Sequence, residues 1–202
     1  MEEKLREQFD IAAWIGGSIF NRNKTSGSSA NMSFLAEDGT LFITGSGTCF
    51  GRLTDDSFSQ IGPDGTLRNT VKPSKELPLH RSLYRCAPGL HAVIHTHGLY
   101  AVLWSCLQGL DANDAVPAYT PYLGMKLGRI ALVPFAPPGS RELFDAFAER
   151  ADSRPGYLLA HHGAVVGGES LLDAFYALEE LEESCHIAWE IRGKAENIQT
   201  LK

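Results

Sequence analysis

Apolar residues at helical spacing (Leu5, Phe9, Ala12, Ile15 and Ile19) predict an amphipathic helix over residues 3–22. The small polar stretch from Asn23 to Asn31 breaks that pattern and reads as a loop. Two short apolar runs follow, Met32 to Ala36 and Leu41 to Thr44. They are joined by Glu37-Asp38-Gly39-Thr40, whose Asp-Gly step predicts a hairpin. Thr44-Gly45-Ser46-Gly47 is a second small-residue loop. The turn signal Pro63-Asp64-Gly65 precedes a predicted short strand from Thr66 to Val71, and Pro73-Ser74-Lys75 leads into a helix over 76–87.

Residues 92–97 read as a buried strand and 98–108 as a helix. The stretch 111–139 is dotted with proline and glycine and predicts short strands, including Ile130 to Phe135. A helix near 140–151 and a strand near 157–160 come next. The last helix starts after Gly167-Gly168, where Ser170 and Asp173 resemble a capping box with Asp in place of Glu. Leu171, Leu172, Phe175, Leu178 and Leu181 form its apolar stripe. Residues from about 190 read as a tail or as a contact with an adjacent subunit. Short strands flanked by helices around one core predict a mixed α/β fold, with 1–202 as one domain.

Composition narrows the function classes. A chain of 202 residues can bury a substantial single core. Its 44% apolar and 21% charged residues are ordinary for a soluble globular protein. The net charge of -6 argues against a nucleic-acid partner, which would call for a basic face. No apolar run reaches the roughly 18 residues of a membrane span. The charged start Met1-Glu2-Glu3-Lys4 has no signal-peptide core. Cys49, Cys86, Cys106 and Cys185 lack metal or disulfide spacing, so a cytoplasmic location is the default expectation.

The candidate chemistry begins where the 92–97 strand ends in His95-Thr96-His97. Alternate strand residues share a face, so the two imidazoles project side by side, about 7 Å apart along the chain. Burying both without a partner is unfavourable, and a shared metal removes that penalty. A third His follows the 157–160 strand, either His161 or His162. Three His ligands with an open position make a catalytic metal site. Singly, His80, His91 and His186 read as core or surface residues. Glu76 is a candidate acid/base group, although Glu at a helix start also favours the helix dipole. The loops at 26–31 and 44–47 are either plain turns or an anion nest of backbone N–H groups and hydroxyls.

Taken in order, these segments resemble the class II aldolase/adducin family. Gly27-Ser28-Ser29-Ala30-Asn31-Met32-Ser33 resembles its Ser-Gly-Asn-x-Ser loop, and Thr44-Gly45-Ser46-Gly47 its Thr-Pro-x-Gly loop. Pro73-Ser74-Lys75-Glu76 matches the segment with the catalytic Glu. His95-Thr96-His97 matches the metal pair, and Ala160-His161-His162-Gly163 the Asn-His-Gly motif. Within the family, Gly47-Thr48-Cys49-Phe50-Gly51-Arg52-Leu53, Ser74-Lys75-Glu76, Thr120-Pro121-Tyr122 and Pro138-Gly139-Ser140 are similar to the 3-oxo-tetronate 4-phosphate decarboxylase branch. Two departures stand out. Ala30 replaces the usual Gly before Asn31, which would be strained if that position needs a positive φ. His161 replaces the usual Asn.

The resemblance implies a three-layer α/β/α domain with a mainly antiparallel central sheet. It implies a divalent metal on His95, His97 and His162, with zinc first and manganese, cobalt or iron also compatible with imidazole ligands. Glu76 would transfer protons, with Tyr122 as partner. Asn31, Ser46, Gly47, Ser74 and Lys75 would hold a phosphate. The implied activity is that of a carbon–carbon lyase on a small sugar-acid phosphate, working through an enediolate. Its specific form is decarboxylation of 3-oxo-tetronate 4-phosphate to dihydroxyacetone phosphate. Sugar-phosphate aldol cleavage and dehydration are the alternatives, and a non-catalytic scaffold like adducin is a third. A homotetramer with sites between subunits is implied as well.

Overall fold

A computed structural model of the chain describes residues 2–194 and 199–200. Its strands are β1 (Asn31–Leu35), β2 (Leu41–Thr44), β3 (Phe58–Ile61), β4 (Ala92–Thr96), β5 (Ala131–Val133), β6 (Gly156–Leu159) and β7 (Gly163–Gly168). The helices are α1 (Glu2–Asn21), α2 (Leu77–Cys86), α3 (Leu99–Ser105), α4 (Pro121–Leu127), α5 (Arg141–Arg150) and α6 (Leu171–Ile191). The strands form one sheet in the order β3-β2-β1-β4-β7-β6-β5. Every neighbouring pair is antiparallel except β5 and β6.

Side-chain alternation along the central strands builds a core on each face of the sheet. Ala92 and Ile94 of β4 join Met32 and Phe34 of β1 beneath α1, α3, α4 and α6. Val93, Val165, Tyr157 and Leu159 point the other way, against Leu79 and Leu83 of α2 and Leu143 and Phe147 of α5. The result is the expected three-layer α/β/α arrangement. Met32, Phe34 and Ile94 are fully buried, each contributing about 1.5–3 kcal/mol relative to exposure. A one-residue slip of β1 against β4 would turn these side chains to the wrong face. Core packing therefore also fixes the pairing of Asn31 with His95.

The β1–β2 hairpin closes through Glu37-Asp38-Gly39. Gly39 takes the left-handed conformation at φ 79°, and Ala36 N–H donates to Thr40 O at 2.9 Å. The strand expected over 66–71 is instead irregular chain beside β3. Arg68 N–H donates to Gln60 O, but Gln60 N–H is met by the Asn69 side chain rather than by backbone, which ends the ladder. Three elements lie outside the expectations, the first being strand β3 (Phe58–Ile61). Helix α4 begins at Pro121 within the proline-dotted stretch, with Pro in the first turn, where its missing N–H is harmless. Strand β7 lies where glycines mask the apolar pattern. At α6, Ser170 Oγ accepts from Asp173 N–H. The return arm differs from a capping box, because the Asp173 carboxylate accepts from the Ser170 hydroxyl. Of the tail expected from about 190, residues 190–191 still belong to α6, 192–194 and 199–200 lie outside any helix or strand, and 195–198 and 201–202 lie outside the described residues. No described helix is long and apolar enough to cross a membrane.

Candidate metal centre and active-site cleft

Three strand ends meet at one edge of the sheet: the start of β1, the end of β4 and the start of β7. Antiparallel pairing sets Asn31 opposite His95 and Thr96 opposite Ala164. His95, at the end of β4, is fully buried, and His97 lies just beyond it. His162 immediately precedes β7 and is also buried. One ligand-capable nitrogen from each of the three rings lies within 4.8 Å of the others.

The hydrogen-bond pattern assigns the lone pairs. His95 Nδ1 lies 2.8 Å from the Ala164 carbonyl, which can only accept, so that nitrogen carries the proton. Its Nε2 therefore presents a lone pair, 3.0 Å from His97 Nε2. Burial pushes His95 and His97 down to about 4, which keeps both neutral. Burial likewise lowers His162, assisted by His95 and opposed by Glu76. Both ring nitrogens of His162 are buried without a hydrogen-bond partner. Orphaned buried groups of this kind cost about 1–3 kcal/mol each. Convergent neutral imidazoles with unpartnered nitrogens are the donor set that a divalent cation satisfies.

The backbone around His162 is specialised. His161 holds a left-handed φ of 56°, a conformation in which Asn and His are tolerated better than most residues. Gly163 packs so closely on β4 that a Cβ there would collide with the Thr96 carbonyl. Ala30, by contrast, is not among the positive-φ residues, so the replacement of Gly there carries no strain; Gly27 makes the left-handed turn in that loop.

Glu76 sits at the N-cap of α2, yet its carboxylate makes no capping bond. It turns inward and is 7% exposed. Oε2 lies 3.2 Å from His95 Nε2 and Oε1 3.6 Å from His162 Nε2. Asn31 Nδ2 donates to Oε2 at 2.9 Å.

Above this floor is a cleft of about 310 Å³. Asn31, Ser46, Gly47, Ser74, Lys75, Glu76, His97 and His162 all line it. The N–H groups of Ser46 and Ser74 are already given to the Lys72 and Thr44 carbonyls, so these residues offer the cleft their hydroxyls. Lys75 is exposed at the rim. Tyr122 is not brought to this cleft. It projects from α4 with 59% of its surface exposed.

Two further residues belong to this region. His80, one helical turn after Glu76, is fully buried and bonds Asn31 Oδ1 at 2.6 Å. Its i,i+4 spacing from Glu76 was the available signal. Glu182 of α6 accepts the N–H groups of Tyr100 and Ala101, both at 2.9 Å, and so caps α3 directly after His97-Gly98. A carboxylate beside the apolar stripe of α6 was its signal.

Fold and site together define a class II aldolase-type protein. Residues 12–189 match the family described as Class II Aldolase and Adducin N-terminal domain, and the chain belongs to that family. It is 40% identical over 187 residues to the 3-oxo-tetronate 4-phosphate decarboxylase of Escherichia coli strain K12, covering 93% of this chain and 87% of that protein. The crystal structure of YgbL from Escherichia coli superposes with a TM-score of 0.91 at 37% identity, covering 100% of this chain and 95% of the other. The L-fuculose phosphate aldolase of Methanococcus vannielii is 30% identical over 165 residues, covering 82% of this chain and 86% of that protein.

Proposed function

We propose that this chain is a metal-dependent carbon–carbon lyase that decarboxylates 3-oxo-tetronate 4-phosphate to dihydroxyacetone phosphate. The observation that carries the reading is the buried Glu76 carboxylate set against the His95, His97 and His162 nitrogens on a polar cleft floor. The likeness to the Escherichia coli decarboxylase supplies the substrate.

His95, His97 and His162 would hold a divalent cation, zinc first. A cation there supplies Lewis-acid stabilisation of negative charge on the substrate's keto oxygen. The rest of the work falls to side chains. Lys75 and the hydroxyls of Ser46 and Ser74, with Gly47, hold the phosphate at the cleft rim; Asn31, expected to join them, has both ends of its amide engaged by Glu76 and His80 and borders the reacting end instead. The carboxyl group leaves as carbon dioxide while its bonding pair moves into the adjacent carbonyl, giving an enediolate. Glu76 takes up a proton from solvent, delivers it to the carbon that lost the carboxyl group and so returns to the carboxylate. In the homotetramer that the family resemblance implies, Tyr122 of a neighbouring copy assists that transfer, consistent with its exposure away from its own cleft. Residues 1–202 act as one domain in a cytoplasmic enzyme.

Aldol cleavage is the second reading, favoured by the likeness to the Methanococcus vannielii aldolase. The test is an assay of metal-loaded protein with 3-oxo-tetronate 4-phosphate and, separately, L-fuculose 1-phosphate. Carbon dioxide and dihydroxyacetone phosphate from the first support decarboxylation. Turnover of the second alone assigns the aldolase. Loss of turnover in Glu76→Gln with metal retained supports its acid/base role, and full activity eliminates it.

A further inference from the structure

Beneath Glu76 runs an unbroken line of polar side chains. Asn31 Nδ2 lies 2.9 Å from Glu76 Oε2, and Asn31 Oδ1 lies 2.6 Å from His80 Nε2. His80 Nδ1 lies 2.7 Å from Ser33 Oγ, which lies 2.7 Å from Tyr84 OH. Ser33 and His80 are fully buried, and Asn31 and Glu76 nearly so.

The direction of the line follows from what each atom can do. A carboxylate only accepts, so the Asn31 amide must turn its nitrogen to Glu76 and its oxygen to His80. That oxygen also only accepts, so His80 Nε2 carries the proton. Burial pushes His80 down to about 3, so the ring is neutral and Nδ1 has a lone pair. Nδ1 therefore accepts from the Ser33 hydroxyl, whose oxygen accepts from Tyr84. Burial raises Tyr84 and keeps that phenol protonated as the terminal donor.

We propose that His80 is a positioning residue for Glu76, acting through Asn31. Its Nε2–H pins the amide oxygen of Asn31, which keeps the amide N–H on Oε2 and holds the carboxylate in place. Without that donor the amide is free to flip, which sets oxygen against oxygen and displaces Glu76. The proposal rests on Glu76 as the proton-transfer group.

Two measurements test it. The first is the tautomer of His80, read from imidazole nitrogen chemical shifts in the wild-type protein. The Nε2–H form at neutral pH is expected, and the Nδ1–H form overturns the proposal. The second compares His80→Leu with His80→Gln, whose side-chain N–H can replace the imidazole donor. His80→Leu should lower kcat about tenfold or more with KM and metal content unchanged, because a hydrogen bond to a charged network is lost. His80→Gln should recover most of it. Wild-type kcat in His80→Leu, or equal loss in both folded variants, overturns the proposal. Should His80→Leu fail to fold, the tautomer decides alone. Full activity in Glu76→Gln would remove the acid/base reading while leaving the tautomer result intact, so the two failures are distinguishable.

Discussion

Asn31 Nδ2 lies 2.9 Å from Glu76 Oε2, across forty-five positions of sequence. The same residue pairs with His95 across the β1–β4 ladder. One asparagine thus ties the carboxylate of α2 to the strand that carries the first imidazole. Asn31→Ala removes a hydrogen bond to a charged acceptor, worth about 1.5–3 kcal/mol. The expected result is a ten- to hundredfold loss of kcat with metal content unchanged, read by steady-state kinetics beside elemental analysis.

Removing the metal is expected to destabilise the fold, because it leaves the ligating nitrogen of His162 buried without a partner. Restoring a divalent ion at a hundred times its Kd should stabilise the protein by about 2.7 kcal/mol. Thermal unfolding of chelated and reloaded protein measures this. His162→Ala should abolish the increment. Titration should saturate at one ion per chain.

Acid sensitivity follows from His80. Burial first, and then His95, lowers it to about 3 from an ordinary value near 6.5. The unfolded chain takes up a proton that the folded chain refuses. The stabilising contribution is complete above about pH 6.5 and is lost as pH falls toward 3, at about 1.4 kcal/mol per pH unit. His80→Gln, which does not titrate there, should show a flatter fall of Tm on acidification. The comparison is made on metal-free protein above about pH 4, where His95 and His97 stay neutral in both variants.

Tyr122 and Glu76 are expected to act across a subunit boundary. Tyr122→Phe and Glu76→Gln should each be impaired alone. Co-expressed, they should recover part of the activity, because some sites then combine an intact Glu76 with an intact Tyr122 from the neighbour. Absence of recovery in a mixed assembly would place Tyr122 outside the reaction.

Much of this arrangement was legible in the sequence because it is local. His95-Thr96-His97 ends an apolar strand, Glu76 follows a proline-led helix start, and Asp38-Gly39 marks its hairpin. What was hidden depends on partners far along the chain. His80 reads as an ordinary core residue until β1 brings Asn31 beside it, forty-nine positions away. Strand β7 was masked because Gly163, Gly167 and Gly168 resemble turn residues. A Cβ at Gly163 would strike the β4 backbone, and one at Gly168 the backbone of α6, so close packing rather than turning sets those choices. Helix α4 was obscured by the prolines around it, although Pro121 itself marks its first turn. The strand expected over 66–71 failed for a related reason: the Asn69 side chain takes the bond that a ladder needs.

The most direct measurement is turnover of 3-oxo-tetronate 4-phosphate by metal-loaded protein in deuterium oxide. Glu76 exchanges its proton with solvent and delivers it from one side. The dihydroxyacetone phosphate formed should therefore carry one deuterium on the carbon that lost the carboxyl group, in a single configuration. Racemic label at that carbon would contradict a positioned Glu76, and no dihydroxyacetone phosphate from protein holding one metal ion per chain would contradict the decarboxylase itself.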